Sequence, residues 1–484
     1  MNWRAISSLI GALLLAAAVG MLLPLGWALS TGEGDALAIA VGALVAAGLG
    51  GPLRWRLRNP GELSARDAFV VATLGWIFVS SVSAIPFVVY GAIPSPIDAF
   101  FEMMSGYTTT GSTILNDIEV LPQGLLLWRS ETHLIGGMGF VTLAVTVLPH
   151  GLGGLRLFRA ESSPGQVVTR ERFLPRNRDA IRTLWLIYLA LNAAQVVLLM
   201  AGGMPLFDSL CHTFGTVSTS GYSPYNDSIG HYDSLWFDAV ISLFMFLGGV
   251  TFLLFFSMWQ RDWKTIHANT ELRWYLSITA LLCGGVAAIL WWSETYSAVE
   301  SVQYAVFQVL SLLTTTGFAT ADYELWPQSA QMLLVFSCFI GACAGSTTSG
   351  IKVVHYVLII KFMVQEIRRQ YFQPLSIVSI RLNGRRVDLG VIHLALAYFI
   401  VNIFMILSGG FVVTLAEDVD LVTALSSIVA TLMNIGPGWG DIGPTENFSQ
   451  FSDFTKLFLS GNMLVGRLEM FSTLVLFYPG FWRA

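Results

Sequence analysis

Charge is what this sequence has little of. Only 12% of its 484 residues are Asp, Glu, Lys or Arg, about half the share of an ordinary soluble protein. A soluble chain of this length divides into two or three domains with polar surfaces, and the charge to coat them is missing. Cysteine is scarce too. Cys211, Cys283, Cys338 and Cys343 all lie in apolar context. Cys338 and Cys343 have no histidine at ligand spacing, which argues against a zinc site. They read as small buried hydrophobes, and no disulfide framework follows. The net charge of −5 points to no nucleic-acid partner. The longest stretch without a candidate span, about Gly151 to Asp179, is too short for a separate soluble domain. A nucleotide-sensing or ATP-hydrolysing module would therefore be another chain. What is abundant is apolar: 54% hydrophobic residues and a mean hydropathy of +0.65. These values imply an all-α integral membrane protein surrounded by membrane lipids.

A spanning helix needs about 20 mostly apolar residues. Ten segments qualify, at 5–29, 35–53, 68–90, 127–149, 183–203, 235–258, 273–293, 329–365, 389–415 and 452–478. The first has too long an apolar run for a signal-peptide core of about 7–15 residues. Lysine and arginine orient the spans. Of the 26, all but Arg129, Lys352, Lys456 and Arg467 fall after even-numbered spans or at the two ends. Those loops, and both termini, are expected in the cytoplasm. Acidic residues such as Asp98, Asp117, Glu119, Asp322, Glu324, Asp441 and Glu446 gather on the opposite side. They are either solvated loop charges or a negative vestibule that concentrates cations. His133, His212 and His355 read as packing or hydrogen-bonding residues rather than a proton relay.

Between spans lie four shorter apolar segments: Pro96 to Tyr107, Leu206 to Val217, Ala298 to Leu313 and Leu421 to Leu432. Each is below spanning length and reads as a re-entrant helix. Each leads into a glycine loop: Thr108-Thr109-Thr110-Gly111, Ser218-Thr219-Ser220-Gly221, Thr314-Thr315-Thr316-Gly317 and Met433-Asn434-Ile435-Gly436. The unit of span, half-helix, glycine loop and span thus occurs four times. It divides the chain into two N-terminal helices (1–60) and four pore repeats, 61–155, 156–262, 263–372 and 373–484. Irregular backbone at membrane depth is tolerated only inside protein or beside a water-filled cavity. Four such loops around one axis supply rings of carbonyls that can replace the hydration shell of a potassium ion. Half-helix C-termini aimed at that point favour a cation. The hydroxyls of Thr109, Thr110, Thr219, Ser220, Thr315 and Thr316 either ligate ions or brace the loops. A Thr-Thr-Gly triplet alone is a common polar turn; four in register are not.

This pattern resembles the Trk/Ktr/HKT superfamily of potassium transporters, and within it the pore-forming subunits of bacterial Trk uptake systems. The resemblance covers the whole chain. Its motifs include Gly136-Gly137-Met138-Gly139-Phe140, Ala344 to Lys352, Asn434-Ile435-Gly436-Pro437-Gly438 and Leu464-Val465-Gly466-Arg467-Leu468-Glu469. It implies a filter at Gly111, Gly221, Gly317 and Gly436. Related sodium-conducting members carry serine at the first of these, so four glycines favour potassium. The fourth loop departs from the hydroxyl pattern with Asn434 and Ile435, and the filter is expected to be asymmetric there. The resemblance further implies a homodimer, a cytosolic regulatory ring binding NAD, ATP or ADP on the basic inner loops, and a location in the bacterial inner membrane. No cofactor is expected in this chain, with potassium as substrate.

Two features suggest a gate. The run Gly341 to Gly350 holds glycines and hydroxyl residues that break a helix. It reads either as a packed kink or as an unwound loop; the resemblance implies a loop (Gly345, Ser346, Thr347, Thr348, Ser349, Gly350) that obstructs the closed pore. Arg467 lies deep in span ten, where a charge is costly and marks function. It is expected to contact that loop. Lys352 either joins it or snorkels outward. Glu469, two residues on, is expected to face elsewhere. The alternatives are a proton- or sodium-coupled symporter and an intramembrane serine protease. For the protease, Ser220 has no elbow motif or activating base, so the chain is expected not to be an enzyme.

Overall fold

The computed structural model describes residues 1–56, 64–139, 177–370 and 380–483. The basic run from Arg156 to Arg176 and the fourth expected span beyond Gly139 lie outside the described residues. The fold is mostly helical, and its helices are of membrane type. Among the described residues, six helices are long and apolar enough to cross a bilayer: Trp3–Thr31, Ala36–Arg56, Arg66–Tyr90, Arg182–Ala201, Thr270–Trp292 and Leu389–Ala416. A seventh candidate is the pair Leu235–Gly248 and Phe252–Trp259, bent by 95°.

Two further expected spans are interrupted. The 329–365 segment forms Gln328–Phe339 and Val353–Arg369, separated by irregular chain. The 452–478 segment forms Asp453–Arg467 and then breaks, with φ of 54° at Glu469 and 49° at Met470. Arg467 is thus the last residue of its helix rather than a mid-span one, and Glu469 lies off the helix altogether. Ideal helical spacing does not apply across that turn.

Four short helices match the expected segments residue for residue: Pro96–Tyr107, Leu206–Val217, Ala298–Leu313 and Leu421–Leu432. With 12 residues in three of them and 16 in Ala298–Leu313, at about 1.5 Å per residue they are roughly 18–24 Å long, short of a hydrocarbon core of about 30 Å. Local sequence sets their starts. Ser95 caps the first and Asp420 the fourth. Ser297 and Glu300 form a reciprocal capping box on the third. The second begins after Pro205 without a side-chain cap. The N-terminal helices meet backbone to backbone: a Cβ on Gly11 would lie 2.8 Å from the Gly50 carbonyl oxygen. That is the close approach small residues permit between membrane helices.

Candidate ion pathway

Each short helix ends in the same backbone sequence of states. The residue two before the glycine has a left-handed φ: 52° at Thr109, 58° at Thr219, 55° at Thr315 and 54° at Asn434. The glycines follow at 83°, 83°, 84° and 104° for Gly111, Gly221, Gly317 and Gly436. L-residues rarely adopt this region, so its recurrence in all four loops is structural. The hydrogen bonds recur as well. The N–H groups of Thr110, Ser220, Thr316 and Ile435 donate to Ser105, Gly215, Ser311 and Ala430 at 2.9, 2.9, 2.8 and 2.8 Å.

The loops meet in a ring. A Cβ on Gly111 would lie 2.0 Å from the Ser220 carbonyl oxygen, and one on Gly221 would lie 2.1 Å from that of Thr316. One on Gly317 would lie 2.0 Å from the Ile435 oxygen, and one on Gly436 would lie 2.9 Å from that of Thr110. Each loop packs against the next, and the fourth returns to the first. The hydroxyls brace these loops. Thr108 and Thr110 share a hydrogen bond of 2.7 Å, Ser218 and Ser220 one of 2.5 Å, and Thr314 and Thr316 one of 2.8 Å. The fourth loop has no hydroxyl pair. There Asn434 Nδ2 donates to Thr110 Oγ1 at 2.8 Å and to the Met463 carbonyl at 2.9 Å. This loop is thus built differently from the other three, an amide standing in for the missing hydroxyls.

The four cations outside the basic loops are all buried: Arg129 is 1% exposed, Lys352 2%, Lys456 5% and Arg467 9%. Lys456 pairs with Asp98 at 2.7 Å. Arg129 pairs with Glu102 at 2.6 Å, donates to the Ser223 carbonyl at 3.1 Å, and covers the Tyr222 ring at 3.4 Å. Glu102 also accepts from Ile114 N–H at 3.0 Å, and the Tyr222 hydroxyl donates to the Glu102 carbonyl at 2.7 Å. This cluster ties together the chains leaving Gly111 and Gly221. Glu102 and Tyr222 escaped the sequence reading, although a signal existed. Glu102, His212, Gln308 and Ser427 all stand five residues before the end of their short helix, and all are buried. Breaking a buried ion pair from one side costs about 3–5 kcal/mol. Arg129→Leu is therefore expected to lower the melting temperature of the solubilised protein, and Glu102→Gln/Arg129→Leu to recover much of the loss. An unchanged midpoint in the single variant would refute this.

The Gly345–Gly350 run lies against two of the loops. Thr347 Oγ1 donates to the Val217 carbonyl at 3.0 Å, and Ser349 N–H donates to Thr315 Oγ1 at 3.1 Å. Arg467 reaches the same run, donating to the Thr347 carbonyl at 2.9 Å and to Ser349 Oγ at 3.3 Å. Its other amino group donates to the carbonyls of Gly136 at 2.7 Å and Gly137 at 3.2 Å. Lys352 does not snorkel. Its ammonium donates to the Thr348 carbonyl, to Thr348 Oγ1 at 3.0 Å and to the Ser349 carbonyl at 3.2 Å. Glu271 holds the chain on either side of the run, accepting from the N–H groups of Ala344 and Val354, and was not anticipated. An acid in the first turn of the Thr270–Trp292 helix reads from sequence as a dipole complement.

The family model for TrkH, a cation transport protein, matches residues 37–483. The chain belongs to this family. It is similar to the Trk system potassium uptake proteins TrkH of Salmonella typhimurium strain LT2 and Escherichia coli strain K12. Each is 36% identical over 488 residues, covering 100% of both chains. The crystal structure of the potassium transporter TrkH from Vibrio parahaemolyticus matches with a TM-score of 0.89 at 30% identity, again over 100% of both chains. This member of the cation transport family is thus a multi-pass membrane transporter, not an enzyme.

Proposed function

We propose that this chain takes up potassium through a channel-like pore in the bacterial inner membrane, with the ring of glycine loops as its selectivity filter. The observation that supports this most directly is the cyclic contact of Gly111, Gly221, Gly317 and Gly436 with the carbonyls of neighbouring loops. Rings of backbone carbonyls can replace a potassium hydration shell. The reading includes ten spans, with four pore repeats at 61–155, 156–262, 263–372 and 373–484 following two helices at 1–60. The loop from Gly345 to Gly350, with Lys352 and Arg467, serves as the gate. Both termini face the cytoplasm. The chain works as a homodimer with a nucleotide-binding regulatory subunit on its basic inner loops, whose arginines supply the docking charge.

A membrane potential of 100 mV is worth about 2.3 kcal/mol per charge, enough for roughly fiftyfold accumulation without a coupled ion. The test is rubidium uptake into proteoliposomes holding the purified chain under an imposed potassium diffusion potential. Uptake is expected without a proton or sodium gradient. Uptake that requires either gradient would make the protein a symporter instead.

The outer mouth supplies a further expected result. Glu324 accepts from Gly440 N–H at 2.6 Å. Burial, and then the carboxylates of Asp322, Glu446 and Asp441, hold its carboxyl above the usual range despite that bond. Such like-charge crowding gives a mouth that concentrates cations. Asp322→Asn/Asp441→Asn/Glu446→Gln is expected to slow uptake a few-fold, roughly, at low ionic strength and to leave it unchanged in molar salt, where charges are screened within about 3 Å. Equal uptake at low ionic strength would refute a steering role.

A further inference from the structure

One carboxylate bonds to the chain on both sides of the Gly345–Gly350 loop. Glu271 Oε1 accepts from Ala344 N–H at 2.7 Å and from Val354 N–H at 3.3 Å. Glu271 is 2% exposed, and a buried carboxylate must be compensated by donors and nearby positive charge. The two N–H groups compensate Oε1, while the buried Oε2 accepts no hydrogen bond. The carboxylate and that stretch of chain therefore hold each other in place.

The adjacent residue connects this clamp to the surface. Thr270 N–H donates to Asn383 Oδ1 at 2.8 Å, and Asn383 N–H donates to Thr270 Oγ1 at 3.4 Å. Asn383 and Gly384 form the turn of a hairpin pairing Arg381–Leu382 with Arg385–Arg386. Their φ values of 49° and 76° suit a tight two-residue turn. Lys361, on the helix that follows the irregular segment, donates to the Arg381 carbonyl at 2.7 Å. Hairpin, first turn of the Thr270–Trp292 helix, irregular segment and following helix thus form a closed circuit of hydrogen bonds. Thr270 and Glu271 share one rigid helical turn, so a displacement of the hairpin displaces the clamp.

We infer that Glu271 and Asn383 are positioning residues for the Gly345–Gly350 loop, and that the hairpin is the lever through which forces at the protein surface shift that loop between blocking and open arrangements. The inference rests on the proposed role of the loop as the gate. A lever needs a contiguous physical linkage that biases a two-state element, and these five hydrogen bonds supply one.

The test is basal rubidium flux through the full chain in proteoliposomes, without any regulatory subunit. Asn383→Gly keeps the left-handed turn and removes the side-chain acceptor. It is expected to raise basal flux about threefold, or about 0.7 kcal/mol of gate equilibrium, with the rubidium-to-sodium ratio unchanged. Glu271→Ala, which removes the acceptor for both Ala344 and Val354, is expected to raise it further. Asn383→Asp, which keeps an acceptor oxygen, is expected to restore wild-type flux. A lower melting temperature with unaltered flux in Asn383→Gly would overturn the inference, because the hairpin would then be only structural. Arg467→Ala is measured alongside. If it raises flux while Asn383→Gly does not, the lever fails and the gate stands. If neither changes flux, the gate reading itself fails.

Discussion

Alanine at Gly111, Gly221 or Gly317 is expected to damage transport far more than alanine at Gly436. A Cβ on the first three would stand 2.0, 2.1 and 2.0 Å from the carbonyl oxygen of the next loop, against 2.9 Å for the fourth. Real Cβ atoms do not approach backbone so closely, and the left-handed φ adds strain at all four. The next loop has to move by about an ångström to admit a methyl at the first three positions. The oxygens that must move are the carbonyls proposed to ligate the ion. Discrimination between potassium and sodium is therefore expected to fall about tenfold or more in those variants, equivalent to about 1.4 kcal/mol. Gly436→Ala should keep most of it. Gly111→Ser should act in the same direction and admit more sodium, as resemblance to the sodium-conducting relatives also implies. Relative uptake of rubidium and sodium, or reversal potentials, measures the ratio. Equal effects at all four glycines, or the greatest at Gly436, would rule out the ring as the filter.

Much of this arrangement was legible in the sequence because it recurs. The four short helices end where apolar runs meet the glycine loops, and the odd chemistry of Asn434 and Ile435 marked the loop that is built differently. The long helices were legible from hydropathy alone. The broken ones were less so, because hydropathy does not register a change of backbone direction. The 95° bend between Leu235–Gly248 and Phe252–Trp259 runs through a stretch that is apolar throughout. The break after Arg467 falls among residues with ordinary helix propensity, Leu468 and Glu469, and nothing local announces it. Partnerships were the least legible. Arg129 stood out as a misplaced cation, but Glu102 is 27 residues away on another helix. Glu271 looked like a routine helix-start acid, while its partners Ala344 and Val354 lie 73 and 83 residues further on. Long-range contacts leave no period to count.

Arg467→Ala is expected to raise basal potassium flux about tenfold or more while leaving the rubidium-to-sodium ratio as it was. Two effects act together. The guanidinium joins the Gly345–Gly350 run, through Thr347 and Ser349, to the carbonyls of Gly136 and Gly137. Each hydrogen bond to a charged group is worth about 1.5–3 kcal/mol, so alanine loosens the blocking arrangement. It also removes a fixed positive charge. Two unit charges about 5 Å apart at an effective dielectric constant near 20 repel by roughly 3 kcal/mol, which opposes a potassium ion passing the loop. Arg467→Lys separates the two effects. Lysine keeps the charge and cannot span four acceptors with a planar fork, so its flux should lie between those of wild type and alanine. The filter glycines do not depend on this residue for their own contacts, which is why selectivity should hold. Flux measured in proteoliposomes without a regulatory subunit decides the matter. Wild-type flux in Arg467→Ala would make the arginine a structural strut, and a collapse of selectivity would place it in the filter's support instead of the gate.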